Sequence, residues 1–378
     1  MDFAETEEQV ELRNAVGRIL SERVTDDYWK RREPEPYDRE LWRTLAEAGI
    51  LGTAIPETYG GSGLGIVELG IVLQEQGRTL APVPLLCTLA VGALPIARFA
   101  SLEACARWLP KIVQGEAIVT AAFSEPGRTD PLQPATRAEL QGDSWRLTGR
   151  KVCVPYASQA ALVLVPAVTA AGERVFLLDP RTEGCRLIAQ TSTNGEPQAA
   201  MELENAAAEE LLGGNIRGAE ALPWLVAHAE VAATFLLIGV AEEALRRTAE
   251  YVSNRHQFGR PVGTFQAVQH RLANAYTDLA AMRSTVCQAA WKLDSGLPAT
   301  ADCSVAYWWA CRGADRVVHA AQHSHGGLGA DLDYPIHRYF LWARQIAMLL
   351  GGAMAALSRI GREMAAGRLT PLTAEGVL

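Results

Sequence analysis

From Ile336 to Arg362 the chain carries not one aspartate or glutamate. That absence excludes a carboxylate base on this long apolar stretch, although the Gly-rich turn and Pro335 before it would let backbone approach a ligand closely. Patterned cysteines are missing too. The seven lie at 87, 105, 153, 185, 287, 303 and 311 with no C-x-x-C pair, which excludes a disulfide framework and predicts a reducing compartment where each Cys is a small buried hydrophobe. No basic n-region and apolar h-region follow Met1, so no signal peptide is expected and the cytoplasm is the default. The longest uncharged run, Thr79 to Ala97, is long enough to span a bilayer, but Pro82, Pro84 and Pro95 interrupt it. A buried loop and short core helix are predicted there, and no membrane span. The net charge of −8 argues against a nucleic-acid surface.

What is present is an ordinary globular composition, 49% hydrophobic over 378 residues, enough for two or three domains. The periodicity is helical from residue 5 to about 115. Thr6-Glu7-Glu8-Gln9 opens a first helix, Arg39 to Ala48 forms another, and a long one runs from about Ile66 to Thr79. From Ile118 to Gly218 short apolar runs alternate with Gly, Pro and Asp, the pattern of strands and turns. Val119–Phe123, Trp145–Thr148, Ala161–Val165 and Arg174–Leu178 read as strands. Helical segments follow at roughly 222–253, 265–294, 298–322 and 335–365, a four-helix bundle. The order predicts an α+β fold with an N-terminal helical domain (1–116), a middle β-barrel-like domain (117–219) and a C-terminal bundle (220–378).

Four ordered motifs sharpen this reading: Ile55-Pro56-Glu57-Thr58-Tyr59-Gly60-Gly61-Ser62-Gly63, Phe123-Ser124-Glu125-Pro126-Gly127, Arg255-His256-Gln257-Phe258-Gly259-Arg260-Pro261 with Phe265-Gln266, and His325-Gly326-Gly327-Leu328-Gly329. With them the chain resembles the acyl-CoA dehydrogenases over essentially its full length. The resemblance implies FAD between the β domain and the bundle, completed by a neighbouring subunit. It also implies an acyl-CoA substrate, whose α proton goes to a carboxylate while the β hydrogen leaves as hydride to the flavin. An electron-transferring flavoprotein is the acceptor the resemblance suggests.

Carried over residue by residue, Arg255 and Phe258 match positions near the FAD diphosphate, with Phe265 and Gln266 following. The residues alone also allow Arg255 to end a helix and Phe258 to be core. His323, Gly326 and Gly327 match a Gln-x-x-Gly-Gly segment that reaches the adenine end of a partner's FAD, with His323 in the glutamine's place. His323 or His325 could equally be a satisfied helix-end histidine, and no Cys or carboxylate nearby sits at metal-ligand spacing. Ser124 matches a hydroxyl that bonds the flavin ring, or else it satisfies a strand-end turn. Glu125 reads as a structural or substrate-edge residue and not a base, since Pro126 follows it in a rigid turn.

The departures carry as much information. Cys153 and Pro155 stand where the family often has an aromatic and a hydroxyl donor, and proline donates nothing. Cys153 reads as a buried inert thiol. The family's C-terminal glutamate falls on Leu350, which cannot take a proton. Some members carry the glutamate on the first bundle helix instead; that position falls on Ala229, with Glu230 beside it, about 100° around a helix. Finally, the string from Asp333 to Arg344 looks most like actinobacterial chains of steroid side-chain β-oxidation. Those are often α2β2 heteromers in which one subunit lacks the base. The sequence therefore predicts a base-less subunit with a homologous partner. It leaves open a homodimer using Glu230 and a non-catalytic scaffold or ligand-binding protein.

Overall fold

The computed structural model describes residues 3–31, 35–211 and 218–369. The first helices are α1 (Glu7–Arg23), α2 (Asp26–Arg31), α3 (Arg39–Glu47), α4 (Ile66–Thr79), α5 (Leu94–Phe99) and α6 (Leu102–Val113). Thr6 opens α1 with a reciprocal cap: its hydroxyl accepts from Gln9 N at 3.3 Å, and Gln9 Oε1 accepts from Thr6 N at 3.0 Å. The proline-interrupted run after α4 becomes a turn and then a π-helical stretch, Leu86–Ala93, that leads directly into α5. The cap of α4 comes from far along the chain. Asp294 accepts hydrogen bonds from Ile66 N at 2.9 Å and Val67 N at 3.2 Å, which satisfies two otherwise orphaned N–H groups.

The middle domain holds β1 (Val119–Ala121), β2 (Arg137–Gln141), β3 (Ser144–Pro155), β4 (Leu162–Thr169), β5 (Gly172–Leu178), β6 (Cys185–Thr191) and β7 (Pro197–Glu210). Pairing runs β4–β2–β3–β7–β5 and returns from β5 to β4, so five strands close a circuit. β1 lies parallel on β4, and β6 antiparallel on β7. Closure removes most free edges, which is the barrel-like form expected. One ion pair of this domain is enclosed. Lys151 is fully buried; its Nζ lies 2.7 Å from Glu125 Oε1 and donates to Pro166 O at 2.7 Å.

The C-terminal part comprises α7 (Gly218–Asn254), a hairpin of β8 (His256–Gln257) and β9 (Arg260–Pro261), α8 (Gln266–Asp294), α9 (Thr300–Ser324), α10 (Ile336–Met348) and α11 (Gly352–Ala365). α7 is apolar because it is the core: 94% of its most apolar window is buried. α4 lies directly on it. A Cβ on Gly77 or Gly239 would overlap a backbone carbonyl of the facing helix, Leu236 O or Gln74 O, so glycine is what lets these backbones touch.

Two expectations need correction. The segment 335–365 is two helices, because Gly351 adopts φ +83° and Gly352 φ +73°, conformations that end α10. A side chain on Gly351 would also overlap Thr129 O. The cysteines are not uniformly buried either: Cys153 is exposed, and Cys185 and Cys287 are intermediate.

Candidate functional site

The elbow between α10 and α11 holds the position where the sequence placed a missing base. Leu350 is wholly buried there. Its N–H donates to Tyr307 Oη at 3.3 Å, and the Tyr307 hydroxyl donates to Ala347 O at 3.0 Å. Behind it lies Glu230, also wholly buried, on α7. Arg359 of α11 donates to Glu230 Oε1 through Nη2 at 2.7 Å and Nε at 3.0 Å, and Ser304 Oγ donates to the same carboxylate at 3.0 Å. Arg359 Nη1 also donates to Asp130 Oδ1 at 3.2 Å. Burial raises the Glu230 carboxyl to about 6, against the opposing pull of Arg359. Such a value alone would suit a base, but the carboxylate faces a guanidinium and a hydroxyl inside the bundle. Ala229, onto which the sequence carried the alternative base position, is equally buried.

Beside the elbow a cleft of about 340 Å³ opens between the β domain and α10, lined by Ser124, Cys153, Gln345 and Leu349 among others. The Ser124 hydroxyl makes no hydrogen bond among the described residues, so it is available to a ligand. Its neighbours on β3 are poorer. Cys153 adopts φ +53°, its N–H already donates to Gln190 Oε1 at 2.8 Å, and Pro155 has no N–H. The buried inert thiol expected at 153 is thus an exposed one on a left-handed backbone, set where β3 slips register against β7. Of the two roles expected for Glu125, its bonds fit the structural one. Its carboxylate accepts from Thr136 Oγ1 at 2.6 Å and Thr136 N at 3.0 Å, besides pairing with Lys151.

Deeper in, a cavity of about 40 Å³ is lined by Gln76, Thr120, Tyr156, Glu196 and Trp342 among others. Sequence reasoning missed Glu196, whose carboxyl is pushed up to about 7 by burial. It sits in a polar turn between β6 and β7, and no spacing or motif flags it.

The other motifs gather at the far end of the bundle helices. Arg255 follows the last turn of α7, is exposed, and its guanidinium makes no hydrogen bond or ion pair among the described residues. Phe258 is not core: it tips the hairpin at 92% exposure with φ +54°. Its ring meets Phe265 edge-on at 6.2 Å, and the Arg260 guanidinium lies 4.1 Å from the centre of the Phe265 ring. Gln266 and His323 are exposed. Gly326 takes φ +60°, and a Cβ on it or on Gly327 would meet nothing within 4 Å, so this turn presents open backbone. An unpaired cation, an uncovered aromatic ring and bare backbone fit an anionic, aromatic dinucleotide cofactor supplied from outside the chain. The buried helix-end histidine is His325, whose Nδ1 lies 2.8 Å from Ala321 O.

Known proteins match along the same lines. Residues 6–116 match the acyl-CoA dehydrogenase N-terminal domain profile and residues 217–365 the C-terminal one. Over 375 residues the chain is 38% identical to acyl-CoA dehydrogenase FadE27 of Mycobacterium tuberculosis, covering 97% of this chain and 99% of that one. Among solved structures it is similar to a variant of the Tcur3481–Tcur3483 steroid ACAD, with TM-score 0.90 and 42% identity over 96% of this chain and 98% of that one. The ChsE4–ChsE5 complex from Mycobacterium tuberculosis is matched at TM-score 0.90 and 38% identity, covering 98% of this chain and 100% of that one.

Proposed function

Because the chain belongs to the acyl-CoA dehydrogenase family, FAD-binding oxidoreductases acting on CH–CH bonds of acyl-CoA thioesters, we propose that it is the base-less subunit of a heteromeric enzyme. The observation that carries this reading is the elbow. A buried Leu350 stands where the family resemblance puts the base, and Glu230 on α7 is held by Arg359. A homologous partner subunit then supplies the glutamate that takes the α proton. The solved relatives named as pairs of chains support such a partner, and the one named a steroid ACAD supports a steroid-linked acyl-CoA as substrate.

In this reading FAD, when bound, accepts the β hydrogen as hydride, chemistry no side chain offers. The chain's own residues bind and orient. Arg255 would hold the diphosphate through charge-assisted hydrogen bonds, with Phe258, Phe265 and Gln266 beside it. His323, Gly326 and Gly327 would receive the adenine end of an FAD shared with the partner subunit. Ser124 offers one hydroxyl to a flavin ring in the cleft, where Cys153 and Pro155 offer less than the family pattern. A cytoplasmic location and an electron-transferring flavoprotein as acceptor complete the proposal.

The test compares the chain purified alone with the chain co-purified with its homologous partner, using acyl-CoA and an artificial electron acceptor. A missing general base lowers the rate roughly 10²–10⁴-fold, so the chain alone should fall below the complex by at least that factor. Comparable turnover by the chain alone would overturn the reading and leave Glu230 or Glu196 as base, which Glu230→Gln and Glu196→Gln would separate. A complex that stays colourless after FAD is added would instead favour a scaffold or ligand-binding protein.

A further inference from the structure

The two motifs assigned to the cofactor lie at the ends of different helices, and a ring stack around a buried histidine joins them. His325 precedes Gly326-Gly327 at the end of α9 and is only 3% exposed. Its imidazole stacks on Tyr251 with centroids 4.3 Å apart and planes at 21°, and leans on Tyr334 at 5.2 Å and 47°. Tyr251 belongs to the last turn of α7, and its carbonyl accepts the Arg255 N–H at 2.8 Å. Tyr334 leads into α10. Three elements therefore meet at one ring.

The nitrogen chemistry of that ring is not what fixes it. Nδ1 pairs with Ala321 O within its own helix end, and Nε2 has no hydrogen-bond partner among the described residues. A buried polar atom without a partner is a penalty that an ordinary core residue would avoid. The planar face is the part in use. A flat ring stacked on a tyrosine sets spacing and tilt more tightly than an aliphatic contact, because offset stacking has a narrow geometry.

We propose that His325 is a positioning residue for the cofactor: its stack on Tyr251 fixes the distance between Arg255–Phe258 and His323–Gly327, so that both grip one FAD. This inference rests on the proposed function. Two contacts that must reach separate parts of one rigid ligand lose affinity when their separation drifts, even with each contact intact.

The experiment measures the FAD dissociation constant of the deflavinated complex with the partner subunit, by flavin fluorescence on titration with FAD. His325→Ala and, separately, Tyr251→Leu should each weaken binding about tenfold, the scale of one lost aromatic pair. His325→Phe keeps the face and removes the orphan nitrogen, so its affinity should stay within about twofold of the original. The KM for acyl-CoA should not move in any of the three. Unchanged FAD affinity in folded Ala and Leu variants overturns the inference, as does a tenfold loss in His325→Phe. Should His325→Ala fail to fold, Tyr251→Leu and His325→Phe decide it alone. Arg255→Ala separates the two claims: if it too leaves FAD affinity unchanged, the proposed cofactor surface fails, whereas a loss there with none at His325 sinks only the positioning role.

Discussion

Arg359→Met is expected to destabilise the chain by about 3–5 kcal/mol, the usual consequence of stranding one member of a buried ion pair. Glu230 would keep Ser304 but lose both of its guanidinium bonds, and Asp130 and Leu350 O would each lose a donor as well. The double variant Glu230→Leu/Arg359→Met should recover most of the loss, because apolar replacements of a whole buried pair are often neutral or better. Thermal midpoints of the two variants measure this, and equal midpoints would refute the account. The pH dependence has a definite sign. Glu230 titrates at about 6 in the folded chain against an ordinary 4.5. Between those values the folded state holds a proton that the unfolded state has released. Its contribution to stability therefore falls as pH rises from 4.5 to 6 and is level above. Glu230→Gln should remove that segment of the pH profile, and an unaltered profile would show that other groups produce it.

Lys151→Met is the second large effect, at about 3 kcal/mol, near the lower end for a broken buried pair. Lys151 is fully enclosed, and burial pushes its ammonium down to about 8 even with Glu125 beside it. Removing it leaves Pro166 O without its donor, while Glu125 keeps the hydroxyl and N–H of Thr136 and the N–H of Ala135. Those remaining donors are why the loss sits at the lower end. Adding Glu125→Gln to Lys151→Met should return part of the stability, since a neutral amide tolerates the site better than an unpaired charge. If the double variant is less stable than the single one by more than about 1 kcal/mol, the charge of Glu125 was not the problem.

Helix-rich ends and a strand-rich middle were legible because their apolar periodicities differ. The helix expected from about Ile66 to Thr79 is found there, its end signalled by Pro82 and Pro84. β2, β6 and β7 were harder. β7 carries Ala199, Ala200, Ala206, Ala207 and Ala208 with alternating glutamates, a composition that favours helix and becomes strand only through its partners β3 and β6. The break at Gly351 was missed and 335–365 read as one helix, since a Gly-Gly pair does not announce a left-handed turn until Thr129 O is known to press on it. At the site, the absence of carboxylates from Ile336 to Arg362 was visible because it needs no geometry. The Glu230–Arg359 pair was not, because its members lie 129 positions apart. Cys153 was misjudged for a similar reason: exposure at a register slip depends on the opposing strand.

The glycines that bring α4 against α7, together with the Asp294 cap on α4, bear on how the molecule comes apart. Backbone packed on backbone leaves no water layer along which the N-terminal helices could peel away. The cap ties the end of α8 to the start of α4. Amide protons in the middle of α4 should therefore exchange with solvent through the same opening event as those of α7, with matching free energies and a common response to denaturant. A fragment cut between β7 and α7 would lack the surface its own helix was shaped to meet.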